Sequence, residues 1–217
     1  MTSSSRTILA VVFDMDGTLL DSLPAQLESY RLAIVGSGGR DHSHAEILDA
    51  FSVGSAEVML ESLIGRRVGA DAVARYEAHL RAHTASIAPY PGIVGALGEL
   101  STRFRLAVFT AAHTSAAEML LAATSLRSFF DVVIGADRIG RTKPAPDGLL
   151  LTCDALGVRA TDVAYVGDAA SDVLVARSSG ALAVAAGWGD RFTVDRDADI
   201  VADTPQDLLR SLIDGAA

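Results

Sequence analysis

The hydrophobic pattern of the chain changes character twice. Near the start, Ile8-Leu9-Ala10-Val11-Val12 is an unbroken apolar run, the pattern of a parallel strand buried on both faces. Residues 24–87 then carry apolar positions at helical spacing. Leu27, Tyr30, Leu32 and Ile34 fit one helix, and Ser43-His44-Ala45-Glu46 is a capping box opening a second. Val58, Met59, Leu60, Leu63 and Ile64 make a third, and Val73, Tyr76, Leu80 and His83 a fourth. Pro89-Tyr90-Pro91-Gly92 breaks this block. Beyond it the pattern alternates: helix 93–103, strand 105–109, a helix opened by the capping box Ser115-Ala116-Ala117-Glu118, then strand 131–134. Helix 146–156, strand 163–166, helix 171–179, strand 181–185, a short strand near 199–201 and a helix started by Thr204-Pro205 complete the series.

Alternating strands and helices of this length predict an α/β fold with a doubly wound, Rossmann-like parallel sheet. The all-helical block is an insertion after the first strand. This divides the chain into a core of residues 1–20 and 88–217 and a helical cap of residues 21–87. A cap placed there can exclude water and select a substrate. With 217 residues, half of them hydrophobic, there is material for one large core and such an insertion.

Charge and composition narrow the possible partners. The net charge of −9 disfavours nucleic acid, whose binding depends on cationic neutralisation of phosphates. A small anionic substrate is compatible with it, because a bound divalent metal inverts the local field. Cys153 is the only cysteine, so the chain forms no internal disulfide, which suits a reducing cytoplasm. Met1-Thr2-Ser3-Ser4-Ser5-Arg6 reads as a short polar tail, and no apolar run has the length of a membrane span. Among eighteen basic side chains only Lys143 is a lysine.

Four segments fall at the carboxyl ends of predicted strands, the edge where open α/β sheets gather their chemistry. They are Asp14-Met15-Asp16-Gly17-Thr18; Thr110-Ala111; Lys143-Pro144; and Gly167-Asp168-Ala169-Ala170-Ser171-Asp172. A carboxylate can attack phosphorus and split one hard step into two. A second carboxylate can protonate a leaving oxygen and later deprotonate water. A hydroxyl, backbone amides and an ammonium can bind non-bridging phosphate oxygens, and further carboxylates can hold Mg²⁺.

Together these segments resemble the haloacid dehalogenase superfamily, in the family's order and approximate spacing, over nearly the full chain. The resemblance implies that Asp14 is the nucleophile and a metal ligand. Asp16 would be the general acid/base and offer its backbone carbonyl to the metal. Thr110, the Ala111 amide and Lys143 would bind phosphate. Asp168 would ligate Mg²⁺, and Asp172 would hold a metal-bound water or Lys143. The acid at Asp16 favours phosphoryl transfer over dehalogenation. The lysine-free cap argues against a Schiff-base phosphonate enzyme. Gln26 stands where sugar-phosphate mutases of the superfamily carry a histidine. A receiver domain would order its acidic residues differently.

The cap run Val53-Gly54-Ser55-Ala56-Glu57-Val58-Met59-Leu60 is similar to that of phosphoglycolate phosphatases. So are Gly180-Ala181, Gly187-Trp188-Gly189, Asp199-Ile200-Val201 and Thr204-Pro205-Gln206-Asp207-Leu208, segments shared with pyrophosphatase and sugar-phosphate phosphatase relatives. The expectation is a Mg²⁺-dependent cytoplasmic phosphatase of small phosphorylated metabolites, monomeric or homodimeric, working through an aspartyl-phosphate. A sugar-phosphate mutase and a pyrophosphatase are the alternatives. Arg31, Arg40, His42, His44, Arg66 and Arg67 are the cap cations available to a second anionic group, and His113 follows the phosphate-binding segment.

Overall fold

A computed structural model describes residues 7–52, 55–189 and 197–213. The chain divides into two compact units: one holds the segments up to Asp21 and from Pro89 onward, the other Ser22–Ala88. β1 (Ala10–Phe13) starts the first unit, and β2 (Leu20–Asp21) leads out of it.

The second unit is helical: α1 (Leu23–Gly36), α2 (His44–Asp49), α3 (Ala56–Ile64) and α4 (Ala70–Ala82). Its interior is built on Leu27, Tyr30, Ile34, Ile47, Met59, Leu60, Tyr76 and Leu80. The Tyr30 and Tyr76 rings stack with centroids 4.1 Å apart, joining α1 to α4. The capping box at α2 forms as the sequence predicts: Ser43 accepts from the Glu46 amide, and the Glu46 carboxylate accepts from the Ser43 amide. Val53 and Gly54 of the cap run, like the tail Met1–Arg6, lie outside the described residues.

The chain returns through β3 (Ala88–Pro89), which pairs with β2. There follow α5 (Ile93–Leu100), β4 (Arg105–Phe109), α6 (Thr114–Ala123), β5 (Val132–Ile134) and α7 (Asp147–Leu156). β6 (Val163–Gly167), α8 (Ala170–Ser179), β7 (Leu182–Ala186), β8 (Ile200–Ala202) and α9 (Pro205–Ile213) complete the unit. Six strands form one parallel sheet in the order β5-β4-β1-β6-β7-β8. Every residue of β1 has zero exposure, as a central parallel strand covered on both faces requires.

The register levels the strand ends. Phe13 pairs with Val108 on one side and Val166 on the other, so the chain leaves β1, β4 and β6 at nearly one height. The strand order also reverses at β1, and such a switch point opens a crevice at the carboxyl edge of the sheet.

Two expectations are corrected. Helix 93–103 ends at Leu100, and residues 101–103 form turns. The box Ser115–Glu118 does not cap α6. That helix starts two residues earlier than the box predicts, with His113 at the N-cap and no capping bond from its side chain. Ser115 is therefore already inside the first turn. The Asp137 carboxylate, from the segment after β5, takes over. It accepts from the Thr114 amide at 2.6 Å and from the Thr114 hydroxyl at 2.8 Å. A sequence window centred on the helix start cannot contain a partner twenty-three residues away.

Candidate active site

Asp14 is the first residue past β1, anchored by its amide, which donates to the Val166 carbonyl at 2.8 Å. The chain then turns away: the amides of Leu19 and Leu20 both donate to the Met15 carbonyl, at 2.9 and 3.0 Å. Gly17 takes φ +84° in this turn, a conformation that side chains oppose. A Cβ there would also lie 2.3 Å from an Asp168 carboxylate oxygen. The loop and the end of β6 are thus in closest packing. Asp16 is half-buried, whereas Asp14 is 2 % exposed.

The other segments arrive at the same edge. Thr110, buried after β4, donates its amide to the Ile134 carbonyl at 3.0 Å, and its Oγ1 accepts from the Ala112 amide at 3.1 Å. Ala111 between them is exposed. Lys143 follows β5, and its bond to Pro144 is cis. Its Nζ lies 2.8 Å from Asp14 Oδ1 and 2.8 Å from Asp172 Oδ1, with only 7 % of the side chain exposed. The ammonium also sits 5.0 Å from the Phe109 ring centroid and 5.4 Å from that of Tyr165, within cation–π range. Burial alone would depress the Lys143 pKa; the charges of Asp14 and Asp172 outweigh it, and the net displacement is upward.

Asp168 and Asp172 come from the end of β6 and the first turn of α8. Asp168 accepts from the Thr18 hydroxyl at 3.2 Å, and the Thr18 carbonyl accepts from Trp188 Nε1 at 2.9 Å. Asp172 is more heavily committed. Its Oδ1 accepts from Lys143 at 2.8 Å and from the Tyr165 hydroxyl at 3.2 Å, and its Oδ2 from the Ala169 amide at 3.0 Å. A carboxylate has about four lone-pair positions, so three are already in use. Asp14, Asp168 and Asp172 each present an oxygen within 4.8 Å of the others. At that spacing and an effective dielectric near 20, two such charges repel by roughly 3 kcal/mol. One ammonium among three buried carboxylates leaves an excess of negative charge. An oxygen-only set of this kind is compatible with a hard divalent cation.

The structure therefore brings Asp14, Lys143, Asp168 and Asp172 into one cluster, with Asp16 and Thr110 on the same sheet edge. The cations named in the helical unit are differently placed. Arg31 pairs with Glu28 and Asp41, Arg40 with Glu46, and His44 lies 3.3 Å from Glu28. His42 is buried with Nε2 2.9 Å from the Leu63 carbonyl, and Arg66 donates to the Ser37 carbonyl at 2.7 Å. Arg67 is exposed. Gln26 is buried and donates to the Ser22 hydroxyl at 2.9 Å.

Four side chains of the site were missed as site residues: Phe109, Tyr165, Thr18 and Trp188. Tyr165 carried the clearest signal, a phenol in an otherwise aliphatic strand, since a buried hydroxyl needs a partner.

An acidic cluster with an ammonium at the switch point of an α/β sheet suits chemistry on a phosphoryl group. Residues 11–186 match the model of the haloacid dehalogenase-like hydrolases, and the chain belongs to that family. Among its relatives is a phosphoglycolate phosphatase of Chromobacterium violaceum, 31 % identical and covering 97 % of this chain and 99 % of its own. A probable phosphatase, IndB, of Dickeya dadantii is 33 % identical over 84 % of this chain and 83 % of its own. Among solved structures, CbbY from Rhodobacter sphaeroides in complex with phosphate superposes with a TM-score of 0.83 at 22 % identity, covering 93 % of this chain and 96 % of that one. This protein is accordingly a phosphatase of the haloacid dehalogenase-like type with a Rossmann-like core. No helix among the described residues is long and apolar enough to cross a membrane.

Proposed function

We propose that the protein is a Mg²⁺-dependent phosphatase of small phosphomonoesters, acting through an aspartyl-phosphate on Asp14. The observation that carries this reading is the Lys143 ammonium, held 2.8 Å from both Asp14 and Asp172 beside Asp168. A carboxylate that must approach an anionic phosphoryl group needs such fixed positive charge, since catalysis here is mostly positioning and charge stabilisation.

In the first half-reaction the Asp14 carboxylate attacks phosphorus, the ester P–O bond breaks, and Asp16 gives its proton to the leaving alkoxide. In the second, Asp16 takes a proton from water as the water oxygen attacks the acyl phosphate. The phosphorus–carboxylate bond breaks, Asp14 is restored, and inorganic phosphate leaves. The Thr110 hydroxyl, the Ala111 amide and Lys143 hold the non-bridging oxygens through both steps. Uncatalysed hydrolysis of such esters is slow enough that enzymes accelerate it by up to about 10²¹-fold.

The carboxylates of Asp14 and Asp168 and the backbone carbonyl of Asp16 suit the direct ligation of Mg²⁺. The cation, when bound, supplies positive charge to the phosphoryl oxygens. Asp172, with most of its acceptor positions taken by Lys143, Tyr165 and the Ala169 amide, serves better as the anchor of Lys143 or of a metal-bound water. The helical unit Ser22–Ala88 is the cap that selects substrate, and Arg67 and Arg75 are among its exposed cations. Phosphoglycolate-like compounds and sugar phosphates are the substrate classes to try first, given the relatives' names. The single buried thiol of Cys153 suits a reducing cytoplasm.

The test is phosphate release from a panel of phosphorylated metabolites with Mg²⁺, ranked by kcat/KM, for wild type, Asp14→Asn and Asp16→Asn. Asp14→Asn should lose turnover while keeping its fold, and Asp16→Asn should be slowed in both half-reactions. Substantial phosphate release by Asp14→Asn would refute the nucleophile, and a normal steady-state rate in Asp16→Asn would remove the acid/base role.

A further inference from the structure

We propose that Tyr165 is a positioning residue of this site: its hydroxyl ties Asp172 to the Phe109–Thr110 peptide and so fixes where the Lys143 ammonium stands. The inference rests on the reading of Asp14 and Lys143 given above and adds a residue to it.

Tyr165 lies in β6 and is 1 % exposed, so it does not reach substrate. Its neighbours in the strand are Ala164 and Val166, and a phenol costs more there than an aliphatic side chain unless its hydroxyl is bonded. The hydroxyl has one proton and two acceptors in range, the Phe109 carbonyl at 3.1 Å and Asp172 Oδ1 at 3.2 Å. Burial, with Asp172 and Asp14 nearby, raises the phenol pKa well above its ordinary value, so the group stays a donor.

The two acceptors belong to different elements. Phe109 ends β4 immediately before Thr110, and Asp172 sits in the first turn of α8. One proton shared between them locks the end of β4 against the start of α8. Asp172 is then held by three donors, from Lys143, Tyr165 and the Ala169 amide. A lysine ammonium is a point charge on a flexible stem, and its position follows its acceptors. Two of those acceptors are Asp14 and Asp172, and the rings of Phe109 and Tyr165 stand beside it. Removing the hydroxyl takes one of these three donors from the carboxylate that aims the lysine and leaves the ring wall intact.

Because Lys143 is the only lysine, its side-chain nitrogen can be followed alone. Protein labelled with ¹⁵Nζ-lysine gives a single ammonium resonance. In folded Tyr165→Phe this resonance should shift or broaden, and kcat/KM should fall by about tenfold, the scale of one hydrogen bond to a charged group. An unchanged resonance, or a changed resonance with unchanged kcat/KM, overturns the proposal; so does a loss of activity without a change at the lysine nitrogen. Failure of Tyr165→Phe to fold makes the tyrosine a folding residue and overturns its positioning role. Asp14→Asn separates the two levels. If it stays active the reading of the site fails, whereas an inactive Asp14→Asn beside a wild-type-like Tyr165→Phe sinks only the tyrosine.

Discussion

Gly189→Ala should disable the site without replacing any group that performs chemistry. A Cβ built on Gly189 lies 2.2 Å from Asp168 Cβ and 2.3 Å from the Gly17 carbonyl oxygen. Neither neighbour is the free end of a flexible side chain: one is the root of a candidate metal ligand, the other is backbone of the Asp14–Thr18 turn. Ordinary contact begins near 3.4 Å, so the gap must open by about 1.2 Å, which displaces Asp168, the turn, or both. A misplacement of about 1 Å at a catalytic group costs on the order of 10²-fold in rate. Overpacking of this kind also costs about 1–3 kcal/mol of stability. The assay is phosphate release against substrate and Mg²⁺ concentration, with thermal melting in parallel. The expected result is a fall in kcat/KM of about 100-fold, a higher Mg²⁺ requirement and a lowered Tm. Gly95→Ala is the matched comparison. It lies in α5 with no heavy atom within 4 Å of the added Cβ. It should gain about 0.5–1 kcal/mol from reduced chain entropy and leave activity alone. If Gly189→Ala retained kcat/KM within about twofold (well inside the effect expected of such a displacement), the argument that the Gly187–Gly189 segment clamps Asp168 would be wrong.

Asp137→Ala should cost about 1 kcal/mol, the scale of a lost N-cap, because the Thr114 amide and hydroxyl lose their shared acceptor. Burial raises the Asp137 pKa, but the Thr114 bonds outweigh it and the net shift is downward from 3.8; the stabilisation is therefore complete above that value and lost as pH falls through the folded pKa. Denaturant melts of both proteins from pH 7 downward should converge in acid, and a constant gap would contradict the assignment. Burial holds the Cys153 thiol up at about 11 against an ordinary 9.0, so above pH 9 the unfolded chain releases this proton before the folded one and stability falls toward pH 11. The native protein should resist a thiol reagent at pH 8 and react at one site per chain after unfolding; rapid native modification would contradict the burial.

Much of this architecture was legible because its signals are local. The strand Arg105–Phe109 and the Ser43–Glu46 box depend on residues a few positions apart, and both form as the pattern predicts. The motif residues were legible for a different reason: a parallel sheet carries all its strand ends to one edge, so the sequence positions of Asp14, Thr110, Lys143 and Asp168 imply their neighbourhood. What could not be read were bonds between distant segments. Asp137 displaced Ser115 as the partner of the α6 start, and Trp188 reaches the Thr18 carbonyl across 170 positions. The helical unit shows the same limit. Its cations were visible as candidates; the Arg31–Glu28 pair is local, three residues apart within α1, but the pairing of Arg31 with Asp41 and of His44 with Glu28 depends on how the chain beyond α1 folds back on it.

The identity of the one lysine follows from that site geometry. Seventeen of eighteen basic residues are arginine, so the composition alone would place arginine at position 143. An arginine presents a planar fork that suits one carboxylate taken by both its oxygens. Here the acceptors are single oxygens of two different carboxylates, each 2.8 Å from one nitrogen, and two aromatic rings stand at 5.0 and 5.4 Å. Oxygens converging on a point call for a point donor. A guanidinium is wider than the ammonium that faces Phe109 and Tyr165, and Tyr165 is one of the donors that hold Asp172. An ammonium has three N–H bonds, and Asp14 and Asp172 take two. In the proposed chemistry the third is directed to the phosphoryl oxygen, so the bonds that position the lysine and the bond that uses it come from one nitrogen.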